Sequence, residues 1–571
     1  MDGLYLSAVL RELRDTILGS RVEKVHQPDS TRLVISLSRK RRLLMSASPD
    51  APALYLCENV PANPERPPAF CQLLRKRISG AVIEDVSQPG LERIVTITLS
   101  ATSEYAEPRT LHLIIEVMGK HSNIILVDGS LTIIAAIKRV GSDVNRYRQV
   151  LPGLPYIRPP QQDKVELYPM DQEAVIERLS GLAGTPLWKA LLQCIAGIGP
   201  PTAKEVARRA GLEPYVKVGT LGPGEMNRVL AVLGDLARMV REGSYKPSLL
   251  LDEAGSSPVA LSACGFTVGR TFEDPSPSRV AEMYFSALSD RRQFRSLQGT
   301  LLTVVRRHLD RAKGKKQKQL ESLAEAQRAE DLRLKGELIL ANIYRLEKGQ
   351  ARAVLENYYA GDEHIAVDLD PRLSPAENAQ RYFDRYNKAR RTLILANQQL
   401  ERTEEEIRYL EEVENSLERA ESLRELEEVR EQLARDRYIQ AKPGQPSRRP
   451  RPLGPIEYDL GEGWRALVGR NTRQNDYLTL RRARPDDIWL HVKDLPGAHV
   501  ILQGPGGEPP GEVLERAASI AAYHSAARHS SNVPVDYTRA RHVRKPRGAR
   551  PGMVIYDHHR TINVAPLNDR R

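Results

Sequence analysis

Gly469-Arg470-Asn471-Thr472-Arg473-Gln474-Asn475-Asp476-Tyr477, followed by Asp487-Ile488-Trp489-Leu490-His491-Val492-Lys493-Asp494-Leu495-Pro496-Gly497-Ala498-His499-Val500, decides the reading of this chain. Amides, cations, a tryptophan and two histidines crowd onto what read as two short strands. That mix suits a nucleic-acid surface better than a core, because amides and cations reach phosphates while aromatic rings stack on bases. Working outward, residues 456–571 begin with strands, pass through a helix at Val513 to His529 and end on strands at Met553–Tyr556 and Thr561–Val564. This is the pattern of a compact α+β domain. The basic run Arg541 to Arg550, with Arg544, Lys545 and Arg547, adds to its positive surface.

Upstream, residues 441–455 form a basic, proline-rich linker containing Lys442-Pro443-Gly444-Gln445-Pro446-Ser447-Arg448-Arg449-Pro450-Arg451-Pro452, a composition that stays extended. Residues 286–440 are rich in Glu, Arg, Leu and Ala, with Leu393, Leu400 and Ile407 seven apart, then Leu410 and Leu417, then Leu426 and Leu433. Heptads of this kind predict an antiparallel coiled coil that folds back on itself. An arm of about 60 residues reaches on the order of 90 Å at 1.5 Å per residue, beyond any core it could serve. Its tip, at about 345–385, carries two short strands and a capped helix opening at Ser374-Pro375.

The first 170 residues alternate helix (Tyr5 to Leu18; Ala69 to Ile78) and strand (Arg32–Leu37, Arg93–Leu99, Leu111–Met118, Asn123–Val127), with a hairpin turn at Asp128-Gly129. An α+β domain with much antiparallel sheet follows, completed by about 246–285. Between them, residues 171–245 hold Ile195-Ala196-Gly197-Ile198-Gly199-Pro200-Pro201-Thr202-Ala203-Lys204, the shape of a helix-hairpin-helix. Its Gly197-Ile198-Gly199 turn is expected to bring backbone N–H groups close to a phosphate, with Gly197, Gly199 and Lys204 as the contact residues. The same turn also serves elsewhere purely as a packing unit.

The formal net charge of +12 is unevenly spread: +5 over residues 1–160, −2 over 161–440 and +9 over 441–571. Concentrated positive charge is the footprint of a polyanionic partner. Four scattered cysteines (Cys57, Cys71, Cys194, Cys264) form no pair at metal-ligand spacing, and no signal peptide or spanning segment is evident, so a reduced, cytoplasmic setting is expected. No phosphate-binding P-loop, nucleophile elbow or H-E-x-x-H pair occurs. The histidines of the last domain (His491, His499, His524, His529, His558, His559) match no ligand spacing, so stacking on RNA or plain packing is expected of them. The Gly504-Pro505-Gly506-Gly507 run reads as a flexible loop.

Four blocks in order carry a family resemblance: Glu116-Val117-Met118-Gly119-Lys120-His121-Ser122-Asn123, the helix-hairpin-helix, Leu369-Asp370-Pro371-Arg372-Leu373-Ser374-Pro375-Ala376-Glu377-Asn378, and the C-terminal block quoted first. They resemble the NFACT family of ribosome quality-control proteins, over nearly the whole chain. The resemblance implies an N-terminal domain similar to formamidopyrimidine-type DNA glycosylases. Those enzymes need an N-terminal proline nucleophile and a zinc finger. This chain opens Met1-Asp2-Gly3 without a finger, so no glycosylase activity, cofactor or metal is expected. It also implies tRNA recruitment by an acid–arginine pair, here Glu92-Arg93, with the acid one methylene longer than the family's aspartate.

The implied role is to bind obstructed large ribosomal subunits carrying peptidyl-tRNA, recruit alanyl-tRNA and promote mRNA-independent C-terminal alanine tailing, with the ribosome supplying peptidyl transfer. The arm would reach the stalk base, and a monomer is expected on the ribosome. Ribosomal RNA would be gripped by Arg470, Asn471, Arg473, Asn475, Trp489, His491, Lys493, His499, Arg544, Lys545 and Arg547. Since bacterial members have also been described as fibronectin-binding proteins, a surface adhesin is the alternative, opposed by the absent signal peptide and the end-loaded charge.

Overall fold

The computed structural model describes residues 1–103, 106–160, 162–327, 329–359, 361, 363–440 and 453–567. Nearly all of the expected linker, Lys442 to Pro452 included, lies outside the described residues. The chain divides into two compact units, Met1–Arg292 and Gln293–Arg571.

In the first unit, helix α1 (Gly3–Ile17) turns Leu6, Val9, Leu10, Leu13 and Ile17 inward at helical spacing. Four antiparallel strands follow: β1 (Val22–His26), β2 (Arg32–Leu37), β3 (Arg41–Ser46) and β4 (Ala53–Leu56). After α2 (Ala69–Ile78) come five more, β5 (Val82–Ser87), β6 (Ile94–Ser103), β7 (Ala106–Glu116), β8 (Asn123–Asp128) and β9 (Ile133–Ala136), again in sequence order. The β8–β9 turn is made by the Asp128 carboxylate, which accepts from the backbone of Ser130 and Thr132. Helices α3 (Gln172–Ser180), α4 (Leu187–Cys194), α5 (Pro200–Arg209) and α6 (Pro223–Glu242) lead to a small sheet of β10 (Ser248–Leu251), β11 (Pro258–Ser262) and β12 (Thr271–Glu273), in the order β11-β10-β12. The core formed by α1 and the first sheets extends without a break into α4, α5 and α6. The hairpin helices are therefore part of one core with the sheet domain.

Helix α7 (Pro277–Gln327), whose residues to Arg292 belong to the first unit, opens the arm. In the second unit α7 pairs with α9 (Pro375–Arg419), the partners running in opposite directions: Arg306 bonds Glu414 and Glu418, Lys313 bonds Glu411, and Lys316 bonds Glu404. Helix α8 (Ala329–Ala341) and the hairpin β13 (Arg352–Asn357)–β14 (Glu363–Asp368) pack a separate small core around Leu338, Ile339, Leu355 and Val367. Ser374 and Glu377 form a reciprocal capping box that starts α9.

One expectation changes here. The heptads expected to run to residue 440 do not continue as a single helix after the tip. The chain breaks after Arg419, restarts at the Ser422 cap and forms α10 (Leu423–Arg435), whose Leu426, Val429 and Leu433 pack with Tyr409, Leu410, Val413 and Leu417. The base of the arm is thus a small globular cluster.

The last domain is a mixed-order sheet, β15-β16-β18-β17-β19-β22, built from β15 (Ile456–Gly461), β16 (Trp464–Val468), β17 (Ile488–Val492), β18 (Val500–Gln503), β19 (Val533–Arg539) and β22 (Arg560–Val564), with the short pair β20 (Val543–Arg544) and β21 (Ile555–Tyr556) beside it. Helix α12 (Gly511–Tyr523) covers one face through Val513, Ala517, Ile520 and Ala521. No helix among the described residues is long and apolar enough to cross a membrane.

Candidate RNA-binding sites

Consider first the Glu92-Arg93 pair. It ends the loop that feeds β6, and that loop is fixed at three points. Gln88 Nε2 donates to the carbonyls of Gly3 (3.1 Å) and Glu92 (2.6 Å), and the Arg93 carbonyl accepts from Val117 N–H at 2.8 Å. Beside it lies the turn between α4 and α5. Gly197 sits at φ +80°, and a Cβ there would come 2.4 Å from Leu91 Cβ, so only glycine permits this approach. A third segment enters as Val165 bridges Ile195 in parallel, exchanging bonds with Cys194 and Ala196.

These segments enclose a cavity of about 570 Å³ lined by Glu92, Arg93, Lys164, Glu166, Gly197 and Gly199, among others. The side chains of Arg93 and Lys164 thus share one mouth with three carboxylates, Glu92, Glu166 and Asp2. Burial, then the neighbouring Glu92 charge, raises the Glu166 carboxyl above its ordinary value, while burial, then Arg93, lowers the Lys164 ammonium. Lys164 and Glu166 were not among the residues expected to bind RNA, since they lie in the short segment between the expected sheet domain and the helix-hairpin-helix. The polar–apolar alternation Lys164-Val165-Glu166-Leu167 was the available signal.

Two expectations are corrected at the hairpin. Gly199 N–H is not free for a phosphate: it donates to Asp2 Oδ2 at 2.8 Å, as does the Thr202 hydroxyl at 2.8 Å. The other oxygen of Asp2 caps α1 by accepting from Tyr5 N–H at 2.8 Å. One internal carboxylate therefore occupies the place at the α5 N-terminus where a phosphate would sit. Lys204 lies away from the cavity lining, its ammonium 5.0 Å from the Trp188 ring centroid and 5.5 Å from that of Tyr215.

The C-terminal block is corrected more deeply. Thr472–Tyr477 is a helix, α11, not a strand; Asn471 caps it by accepting from Gln474 N–H at 3.0 Å. In β17 successive side chains alternate faces. Ile488, Leu490 and Val492 join the α12 core, and Trp489 points to the other face. There Trp489 is fully buried among Leu467, Leu478, Ile501 and Val543, with the Tyr556 ring 4.7 Å away between centroids. It has no face to offer a base.

His499 is also buried, bonded through Nδ1 to the Thr479 hydroxyl at 2.7 Å, and Asn475 accepts from His499 N–H at 3.2 Å. Trp489 and His499 are covered by the domain's own Leu478, Thr479, Val543 and Tyr556, and the base of the arm docks on the neighbouring residues. Glu412 of α9 accepts from Gly497 N–H at 3.1 Å and lies 3.8 Å from His491 Nε2. Arg419 donates to the carbonyls of His524 and Gly469. From α10, Glu425 pairs with Arg470, Glu428 accepts from the Asn471 amide at 3.3 Å, and Gln432 donates to Thr472 Oγ1 at 2.7 Å.

Burial raises Glu412 to about 8 and lowers His491 to about 4, so at neutral pH this contact joins two uncharged groups. Burial, with the adjacent His491, holds His499 well below its ordinary value. Lys545 pairs with Asp476 and is half-buried. Of the expected RNA contacts, Arg473, Lys493, Arg544 and Arg547 are exposed, Arg544 within reach of Asp557 at 3.3 Å.

The chain belongs to the NFACT family: residues 2–451 match its N-terminal and middle domains and residues 458–556 the NFACT protein RNA binding domain. It is 35% identical to the Rqc2 homolog RqcH of Bacillus subtilis (strain 168) over 575 residues, covering 100% of this chain and 98% of that protein. To the Rqc2 homolog RqcH of Streptococcus suis (strain 05ZYH33) it is 34% identical over 574 residues, covering 100% and 98%. Full-length likeness to these proteins supports a role in ribosome quality control. Among solved structures, the N-terminal part of the fibronectin/fibrinogen-binding protein of Streptococcus suis aligns with 50% of this chain and 99% of its own (32% identity, TM-score 0.41). The C-terminal part of the same protein aligns with 48% and 96% (33%, TM-score 0.39). The MutM (Fpg) protein of Thermus thermophilus aligns with 46% and 79% (16%, TM-score 0.22).

Proposed function

We propose that this protein selects a tRNA through the Glu92–Arg93 cavity and delivers it to obstructed large ribosomal subunits carrying peptidyl-tRNA, where the ribosome extends the stalled chain with a C-terminal alanine tail. The observation that carries the reading is the convergence of Glu92, Arg93, Lys164 and Glu166 with the hairpin turn on one cavity. Arginine supplies charge and planar bidentate donors for phosphates and base edges, and the carboxylates accept from exocyclic amines. Nothing in this division of labour asks the chain for a catalytic side chain.

Exposed Arg473, Lys493, Arg544 and Arg547 then serve as phosphate contacts to ribosomal RNA, and the arm reaches toward the stalk base. Alanyl-tRNA as the cargo, a cytoplasmic setting and action as a monomer belong to the same proposal.

The test is affinity purification of the protein from its native cytosol with sequencing of bound RNA, beside an Arg93→Ala variant. Large-subunit RNA plus one enriched tRNA, the tRNA lost from the variant, is the expected result. Enrichment of neither over a basic control protein rejects the reading, and surface exposure with fibronectin binding becomes the next property to measure.

A further inference from the structure

The loop Val140–Val150 has no part in the cavity lining, yet it is built with unusual care. Its base is closed by mutual backbone bonds between Val140 and Val150 at 2.8 and 3.2 Å. Inside it, Asn145 Oδ1 accepts from the N–H groups of Tyr147 and Arg148, both at 3.0 Å. Arg148 turns inward, forming a two-pronged pair with the fully buried carboxylate of Glu116 and donating to the Ile157 carbonyl at 2.5 Å. Tyr156 donates to the same carboxylate at 2.8 Å. Buried charge is costly unless paired and bonded, and here all its partners come from the loop and its return segment.

This brace holds an exposed ring: Tyr147 is 75% exposed, with Arg146 beside it exposed as well. Arg139, which precedes the loop, and Arg158, on the return segment after Ile157, are also exposed, against one acid, Asp143, within the loop. The segment adjoins the cavity, since Glu116 lies two residues before Met118 and Ile157 two before Pro159, both of which line it. An exposed aromatic ring on a pinned loop, with an exposed arginine next to it in sequence, fits unpaired nucleobases: every base offers a π face, and an arginine neutralises an adjoining phosphate. An apolar protein partner would be poorly matched to that charge.

We infer that Tyr147 is a stacking platform for an unpaired base in a tRNA loop and Arg146 a contact to its backbone, with Glu116 and Arg148 as positioning residues; the inference rests on the tRNA reading above. The experiment measures binding of the full chain to a tRNA transcript and to a plain RNA duplex, for the wild type and for Arg93→Ala, Tyr147→Ala, Tyr147→Trp and Arg146→Ala.

Tyr147→Ala is expected to weaken tRNA binding about tenfold and leave duplex binding unchanged, and Tyr147→Trp to restore it, as stacking requires. Arg146→Ala should lower the slope of log K against log salt by roughly 0.7, one single-strand phosphate contact. If Arg93→Ala weakens tRNA binding while Tyr147→Ala binds like wild type, the loop inference fails alone, and the loop fits a protein partner instead. Equal loss on tRNA and duplex, or no rescue by tryptophan, also overturns stacking. If wild type does not prefer tRNA over duplex, the tRNA reading itself fails and takes the loop with it.

Discussion

Asp2 shows how much one side chain can settle. Its carboxylate caps α1 with one oxygen and α5 with the other, so the hairpin turn is a packing joint. Asp2→Ala removes two caps worth about 1 kcal/mol each, and amide exchange in the first turns of α1 and α5 is expected to quicken about fivefold; unchanged exchange at α5 would make Gly199 a phosphate donor again. A similar division separates two arginines three residues apart. Arg470 is half-buried and paired with Glu425, whereas Arg473 is exposed. Arg470→Ala leaves a largely buried carboxylate without its cation and is expected to loosen the junction with α10. Arg473→Ala is expected to leave protection of that junction unchanged while reducing the salt dependence of RNA binding. Residue type alone could not distinguish them, because the partner that buries Arg470 arrives from an element 45 residues earlier in the chain.

Elements whose signal is local were legible. Helix α2 and strand β2 fall where periodicity placed them, and the Asp128-Gly129 turn and the Ser374 cap are present with the bonds their residue types imply. Elements defined by a partner were not. Helix α11 was hidden in a polar run whose one clue was Asn471 as a cap, and Trp489 looked like a binding residue because nothing in β17 reveals that both faces of the sheet are covered.

The covering contact carries its own pH signature. For Glu412, whose folded value of about 8 stands above the ordinary 4.5, stability is full below 4.5 and is lost as pH rises toward 8. For His491, lowered from 6.5 to about 4, stability is full above 6.5 and is lost as pH falls toward 4. The two trends oppose each other between about 4.5 and 6.5. Above 6.5 only the Glu412 trend remains, so exchange across Tyr409–Leu417 and Ile488–Val492 is expected to quicken, beyond its intrinsic pH dependence, from pH 6.5 to 8. Glu412→Gln should abolish that excess; its persistence in the variant would assign the decline to another group.

At the scale of the molecule, charge and chemistry divide in the same way: +5 in the first 160 residues, +9 in the last 131, and a nearly neutral stretch between them. Along the sequence, the two basic ends each have their own exposed cations, Arg93, Arg146 and Arg158 in one and Arg473, Arg544 and Arg547 in the other. If the ends serve different RNAs, their contributions should separate. Counterion release is additive over phosphates contacted, so neutralising either set should lower affinity for its own RNA and leave the other unchanged. Arg93→Ala with Arg146→Ala and Arg158→Ala is expected to remove tRNA from the purified complex while large-subunit RNA remains. Arg473→Ala with Arg544→Ala and Arg547→Ala is expected to do the reverse, retaining tRNA binding by the isolated protein and losing the subunit. Parallel loss of both RNAs from either variant would mean that the two basic ends act on one continuous partner, and would withdraw the separation of tRNA selection from ribosome attachment.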